Sequence, residues 1–253
     1  MGRALCLVIA LILGPAGVRA AETGALVASV VDGDTVVLDH PAGEQVRLVG
    51  IQAPKLPLGR PGFRAWPLAE VAKKALQDLV LGKRVTLTFG GRRRDRHGRL
   101  LAHLWGEDGT WIQGQMLKRG MARVYSFPDN RARVADMLEL ETLARAQARG
   151  IWGLDFYAVI APEDAERAIG TFQVVEGRVL DAAKVKGRTY LNFGPDWRTD
   201  FTVTIAPGTA RLFRALDPLA LKGRRIRVRG WLKSYNGPQI EATHPEQIEV
   251  LAE

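Results

Sequence analysis

The chain has 253 residues, 36 Lys and Arg against 27 Asp and Glu, a formal net charge of +9 and 47% hydrophobic residues. That balance is too apolar for a disordered basic tail and too often interrupted by charge for a polytopic membrane protein. It leaves a folded, basic protein of one or two domains whose charge excess points to a polyanionic partner, nucleic acid first.

The first twenty residues, MGRALCLVIALILGPAGVRA, place Arg3 ahead of an apolar run from Ala4 to Leu13, then a Gly/Pro break and Val18-Arg19-Ala20. Small residues stand where a signal peptidase reads, and the run is too short to anchor in a bilayer. Residues 1–20 therefore read as a cleaved secretory signal. The expectation is an exported protein, periplasmic or secreted, with no integral membrane association after cleavage. Removing Arg3 and Arg19, and no acid, takes the charge from +9 to +7, and the one cysteine, Cys6, leaves with them. Without disulfides, burial alone must hold the remaining chain together.

From Gly24 to Ile51, three β-rich runs are separated by Asp32-Gly33-Asp34 and Pro41-Ala42-Gly43, a meander punctuated by turn chemistry. Pro67 opens a helix with Leu68, Val71, Ala72, Ala75, Leu76 and Leu79 at helical spacing, and Gly82 closes it. Strands are predicted at Val85–Phe89 and Leu100–Trp105, and helices at Trp111–Arg119 and Asn130–Arg149. This order suits a small barrel with helices outside it, over residues 24–153, after a signal at 1–20.

A short acidic connection over 154–170 separates it from a second β-rich unit, 171–253. There the runs FQVVEGRVL, RTYLNFG and DFTVTIA precede a helical piece, Ala210–Leu221, and the strands RRIRVRGWL, PQIEA and QIEVLA. That is the order of a second, smaller OB-type β-barrel. In its fourth strand Ile226, Val228, Gly230 and Leu232 face inward, so Arg225, Arg227, Arg229 and Trp231 share the outer face. Such a face is either a solvated edge or a groove for single-stranded nucleic acid. The fold class is mainly β throughout.

Four motifs in the first unit carry a resemblance: Val31-Asp32-Gly33-Asp34-Thr35, Arg47-Leu48-Val49-Gly50-Ile51, Asp95-Arg96-His97-Gly98-Arg99 and Arg149-Gly150-Ile151-Trp152. In this order and at these intervals the segment resembles the staphylococcal nuclease, or thermonuclease-like, family. The resemblance implies an OB-fold barrel with three helices and a calcium-dependent site that cleaves phosphodiesters. It further implies that Asp34 is a calcium ligand and that Arg47 and Arg99 hold the scissile phosphate. Guanidinium groups suit that role because they donate paired hydrogen bonds to phosphate oxygens and neutralise the charge developing on phosphorus.

Active members carry Asp, a small residue, Pro and Glu starting five residues beyond the first arginine, supplying a second calcium ligand and the base that activates water. This chain has Gln52-Ala53-Pro54-Lys55. The spacing is kept and both carboxylates are gone. Asp34, Lys55, Arg47 and Arg99 sum to +2 without a metal, a poor calcium site because that ion prefers several carboxylate and carbonyl oxygens. The expected ligand-binding residues are Lys55, Gln52, Arg96 and Arg94, with Asp34 at most a weak calcium ligand and no other cofactor. The run Arg92 to Arg99 supplies a basic approach for a sequence-blind backbone contact. His40, His97, His103 and His244 lack zinc-ligand spacing. Three functions follow as expectations: a non-cleaving binder of nucleic acid or another phosphate polyanion, an active exported nuclease with a relocated base, or an envelope adaptor using the barrel as scaffold.

Overall fold

The computed structural model describes residues 19–40 and 43–252; the expected signal lies outside them apart from Arg19 and Ala20. The fold is mainly β, as the patterning predicts. The first unit runs β1 (Arg19–Asp32), β2 (Thr35–Leu38), β3 (Gln45–Leu48), β4 (Gly50–Gln52), α1 (Ala69–Val80), β5 (Arg84–Phe89), β6 (Leu100–Gly106), α2 (Ile112–Lys118), β7 (Arg123–Tyr125) and α3 (Val134–Ala146). Strands β1-β2-β3-β6-β5 close into a barrel, with β3 and β6 parallel and the other pairs antiparallel.

Period-two alternation places Val85, Leu87 and Phe89 of β5 inside the barrel, while α1 covers it with Ala69, Ala72, Leu76 and Val80. The approach of α1 depends on Gly33 in the β1–β2 turn. A Cβ there would stand 2.6 Å from the Ala53 Cβ and 2.9 Å from the Ala72 Cβ. Helix α3 begins four residues later than its periodicity predicts. Asn130 is buried, its side chain donating to the Arg92 carbonyl, and Arg133 takes a left-handed φ of 62° just ahead of the helix. Strand β7, too short for a periodic signal, pairs antiparallel with β4 and sets Gln52 directly opposite Arg123.

Residues 150–168 form three 3-10 turns, Gly150–Gly153, Asp155–Tyr157 and Pro162–Ala168. The second unit contains β8 (Phe172–Arg178), β9 (Asp181–Val185), β10 (Arg188–Asn192), β11 (Thr202–Ile205), β12 (Arg225–Ser234), β13 (Pro238–Ala242) and β14 (Ile248–Val250). The predicted helical piece at 210–221 is instead two 3-10 turns, Ala210–Phe213 and Pro218–Leu221. Strand β9 was not expected; it continues β8 through a bend at Val179–Leu180, where Leu180 N–H donates to the Asn192 carbonyl. The pairing path β9-β10-β11-β13-β12 returns to β8, so counting β8 and β9 as one strand gives the strand order of the first barrel, again with one parallel pair, β11 and β13. Each unit has its own apolar core.

The two units meet through polar groups, of which Arg229, Glu141 and His244 are buried. Arg229 of β12, 1% exposed, donates to Glu141 of α3 at 3.0 Å and to Glu249 of β14 at 2.5 Å. Glu141, itself 0% exposed, also accepts from the Val124 N–H of β7 at 2.5 Å. Arg131 makes a bidentate pair with Glu246, and Ser126 bonds to His244 at 2.7 Å. Two of the outward-facing arginines of β12 are likewise paired, Arg225 with Glu176 and Arg227 with Glu176 and Glu249. The ladder is therefore not a row of free cations: Arg227 and Arg229 are turned onto carboxylates, and Arg225, though exposed, is paired with Glu176. It joins strands and units, and of the four residues only Trp231 keeps an uncharged, half-exposed surface, 45%.

Candidate functional site

The Asp-Gly-Asp-Thr turn between β1 and β2 builds the centre of the site. Asp32 Oδ1 accepts the Asp34 N–H at 3.1 Å, and Asp34, with no exposed surface, accepts the Ala53 N–H on Oδ2 at 2.7 Å. The Lys55 ammonium lies 2.8 and 2.6 Å from the two Asp34 oxygens and 3.2 Å from Asp32 Oδ2. Burial alone would raise the Asp34 pKa, but the Arg47 and Lys55 charges and the Lys55 and Ala53 hydrogen bonds overcome it and hold it down at about 2. Asp32 shifts the other way, raised by burial and by the neighbouring Asp34 charge.

Arg47, on β3, points into the protein. Its Nη1 donates to the Leu48 carbonyl at 2.7 Å and the Asp34 carbonyl at 3.2 Å; its Nη2 donates to the Ile51 carbonyl at 2.6 Å and lies 3.2 Å from Asp34 Oδ2. Asp32, Asp34, Lys55 and Arg47 thus form a neutral, closed quartet. The sequence sum of +2 over Asp34, Lys55, Arg47 and Arg99 is thereby revised: Asp32 joins the first three to make them neutral, and Arg99 stands apart on Asp95.

Gln52 turns away from the quartet. Its Oε1 accepts from Arg123 Nε at 2.9 Å and Nη2 at 2.7 Å across the β4–β7 pair. Arg123 is 4% exposed, its guanidinium carbon 4.7 Å from the Phe172 ring centroid and 5.9 Å from those of Trp66 and Tyr157. Burial lowers its pKa to about 10. A neutral amide at position 52 is the acceptor this buried cation bonds.

Arg99 is aimed by its own turn. Asp95 Oδ1 accepts the N–H groups of His97 and Arg99, and Oδ2 accepts Arg99 Nε at 2.8 Å, with Gly98 at φ 81° completing the bend. Arg47 and Arg99 then share one cleft of about 380 Å³, also lined by Arg92, Arg96, His97, Tyr125, Phe127, Asp95 and Asp129. Its lining carries four arginines against two aspartates. Arg96 stands at the lip, donating to His97 at 3.1 Å. Arg94 is directed elsewhere, to Glu44 at 2.7 Å and the Gly98 carbonyl, and faces a separate groove with Asp39 and His40. Tyr125 and Phe127 line the same cleft and carried no motif; their alternation in Arg-Val-Tyr-Ser-Phe was the available signal.

Calcium does not fit this arrangement. Both oxygens of Asp34, the implied ligand, already hold an ammonium that Asp32 shares, the residue at position 52 is an amide bonded to arginine, and no cluster of three His, Cys, Asp or Glu suited to a metal exists among the described residues. The described residues also contain no helix long and apolar enough to cross a membrane.

Residues 45–153 match the family model described as staphylococcal nuclease homologue. An uncharacterized endonuclease from Escherichia coli is 35% identical over 136 residues, 53% of this chain and 80% of that protein. A thermonuclease from Staphylococcus intermedius is 31% identical over 106 residues, 42% of this chain and 61% of its own length. Endonuclease YncB from Bacillus subtilis is 32% identical over 130 residues, half of this chain and 60% of that protein. With the barrel, the three helices and the paired-arginine cleft in place, the chain belongs to the staphylococcal nuclease homologue family.

Proposed function

We propose that this is an exported, metal-independent binder of nucleic acid or a related phosphate polyanion that has lost phosphodiester hydrolysis. The observation that supports it is the Lys55 ammonium seated on both oxygens of Asp34, the one implied calcium ligand the chain keeps, and on the neighbouring Asp32. Loss of a general base costs about 10²- to 10⁴-fold in rate, and loss of metal activation of water adds to it. Binding needs neither: a phosphate entering the cleft meets Arg99, 30% exposed, and Arg92 and Arg96 at the lip. Arg47, with its donors on backbone carbonyls and Asp34, shapes the wall and contributes field rather than a free fork.

The test is a plasmid and single-stranded DNA cleavage assay across calcium, magnesium and chelator, paired with oligonucleotide binding under the same conditions. Binding that persists in chelator without cutting supports the reading; cutting that Arg99→Ala abolishes would establish instead the active-nuclease reading. For the adaptor reading the discriminating result is a phenotype unchanged when Arg99 and Arg96 are both replaced.

A further inference from the structure

The aromatic wall of the cleft does not end with the first unit. Tyr125 packs edge-on against Phe127, centroids 4.9 Å apart, and against Phe172 of β8 at 4.8 Å. Its hydroxyl accepts the indole N–H of Trp231 at 3.0 Å. Trp231 is thereby held in one orientation while 45% of it faces solvent, and Phe127 is exposed to the same extent. Beyond Trp231, the outward side of β12 continues with Lys233 and then Tyr235, 68% exposed, at the turn into β13.

That turn is fixed. Tyr235 N–H donates to the Gly237 carbonyl, and Gly237 packs so closely on residues 199–200 that a Cβ would stand 2.5 Å from the Thr199 carbonyl oxygen. The loop it packs on presents Trp197, 50% exposed, with the Arg198 guanidinium 4.5 Å from its ring centroid. Isolated exposed aromatics need no explanation. Here Trp231, Lys233 and Tyr235 alternate along β12 into the turn between the fourth and fifth strands of a barrel, Trp197 and Arg198 stand on the loop packed against that turn, and Tyr125 joins the set to a basic cleft. In barrels of this strand order that turn is a recurrent oligonucleotide contact, and interleaved aromatics and cations suit unpaired bases, whose ring faces are free to stack.

We propose that a single strand lying in the cleft continues over β12 of the second unit, its bases stacking on Trp231 and Tyr235 and its backbone neutralised by Lys233. The inference rests on the polyanion-binding reading above and names its ligand: unpaired nucleic acid long enough to span both units. Duplex DNA cannot offer base faces to these rings and is held by the cleft cations alone.

The test is fluorescence anisotropy with labelled single-stranded oligonucleotides of about 6 and 20 nucleotides and a blunt duplex, in chelator, with the full protein and its Trp231→Ala, Trp231→Phe and Tyr235→Ala variants. The expected result is about tenfold weaker binding of the long single strand for each ring removed, unchanged duplex binding, and near-complete rescue by Trp231→Phe. Both substituted side chains are substantially exposed, and an unchanged thermal midpoint identifies variants that keep the fold. Long-strand binding by the parent that both alanine variants match would overturn the stacking path while leaving the cleft reading intact. No binding of any oligonucleotide by the parent would overturn both.

Discussion

At Lys55 a single side chain supplies the counterion for two carboxylates. An ammonium is a fixed cation held by the chain itself, so Asp32 and Asp34 keep a counterion whatever the solution contains. Replacing it with methionine leaves two buried carboxylates compensated only by Arg47, and stability at pH 7 should fall by about 3 kcal/mol, the usual cost of removing one partner of a buried pair. The sign of the pH dependence follows from Asp34. Its folded-state pKa is depressed to about 2 from an ordinary value of 3.8, so its contribution is present above pH 3.8 and is lost as pH falls through about 2. The stability gap between parent and Lys55→Met, measured by urea denaturation, should therefore narrow below pH 4. A second residue-scale prediction concerns Arg99: its replacement by alanine should weaken oligonucleotide binding and reduce the dependence of log affinity on log salt by about one unit, seen in a salt titration of the binding constant.

The quartet shows what the sequence could and could not convey about the site. Gln52 and Lys55 stand where the family resemblance implies two acids, a placement that rests on Pro54 and the intervals from Arg47. What a sequence cannot carry is where those side chains go. Gln52 bonds Arg123, 71 residues away, and Asp32 joins Asp34 around Lys55, contacts made by strand pairing and turn geometry. Arg47 and Arg99 line one cleft, while Arg94 sits on the hairpin stem, bridged to Leu100, and turns to the other side of the bend that carries Arg96.

Among the elements, α3 and β12 form the contact that sequence patterning misread. Alternation along β12 gave the buried set correctly, Ile226, Val228, Gly230 and Leu232, and gave the opposite set correctly as one face. It could not tell that Arg229 and Arg227 of this face lie against Glu141 of α3 and Glu249 of β14 rather than solvent. The late start of α3 and the short strands β7 and β9 escaped for a related reason: three to five residues carry too little periodicity, and pairing decides their state. Because Arg229 is fully buried with two carboxylates, Arg229→Ala should cost about 3–5 kcal/mol. Arg229→Met, which removes the charge and keeps volume, should be nearly as damaging, since Glu141 is left buried with only Arg145 and backbone for partners. Chemical denaturation of both variants checks this, and the expected appearance of two transitions in place of one would show that the pair couples the units.

For the whole molecule, burial places two neutral histidines where acid acts on them. His244 at the junction and His103 in the first unit are both lowered to about 4, chiefly by desolvation. The unfolded chain takes up a proton at each below about 6.5 and the folded chain does not until about 4. Stability should therefore fall as pH drops through that window, in the direction set by linkage. His244→Gln should flatten part of that slope, measurable as a smaller change in thermal midpoint between pH 7 and pH 4.5.

Of the 36 basic residues that give the chain its net charge, Arg47, Lys55, Arg227 and Arg229 are turned onto acids inside the fold, whereas Arg92, Arg96 and Arg99 line the cleft. The most direct measurement of the central claim is calcium titration of the purified protein by calorimetry, with single-stranded DNA cleavage followed in the same samples. The account predicts no calcium binding heat and no calcium-dependent cleavage, with oligonucleotide affinity unchanged by chelator. Saturable calcium binding accompanied by cleavage that Arg99→Ala removes would contradict it.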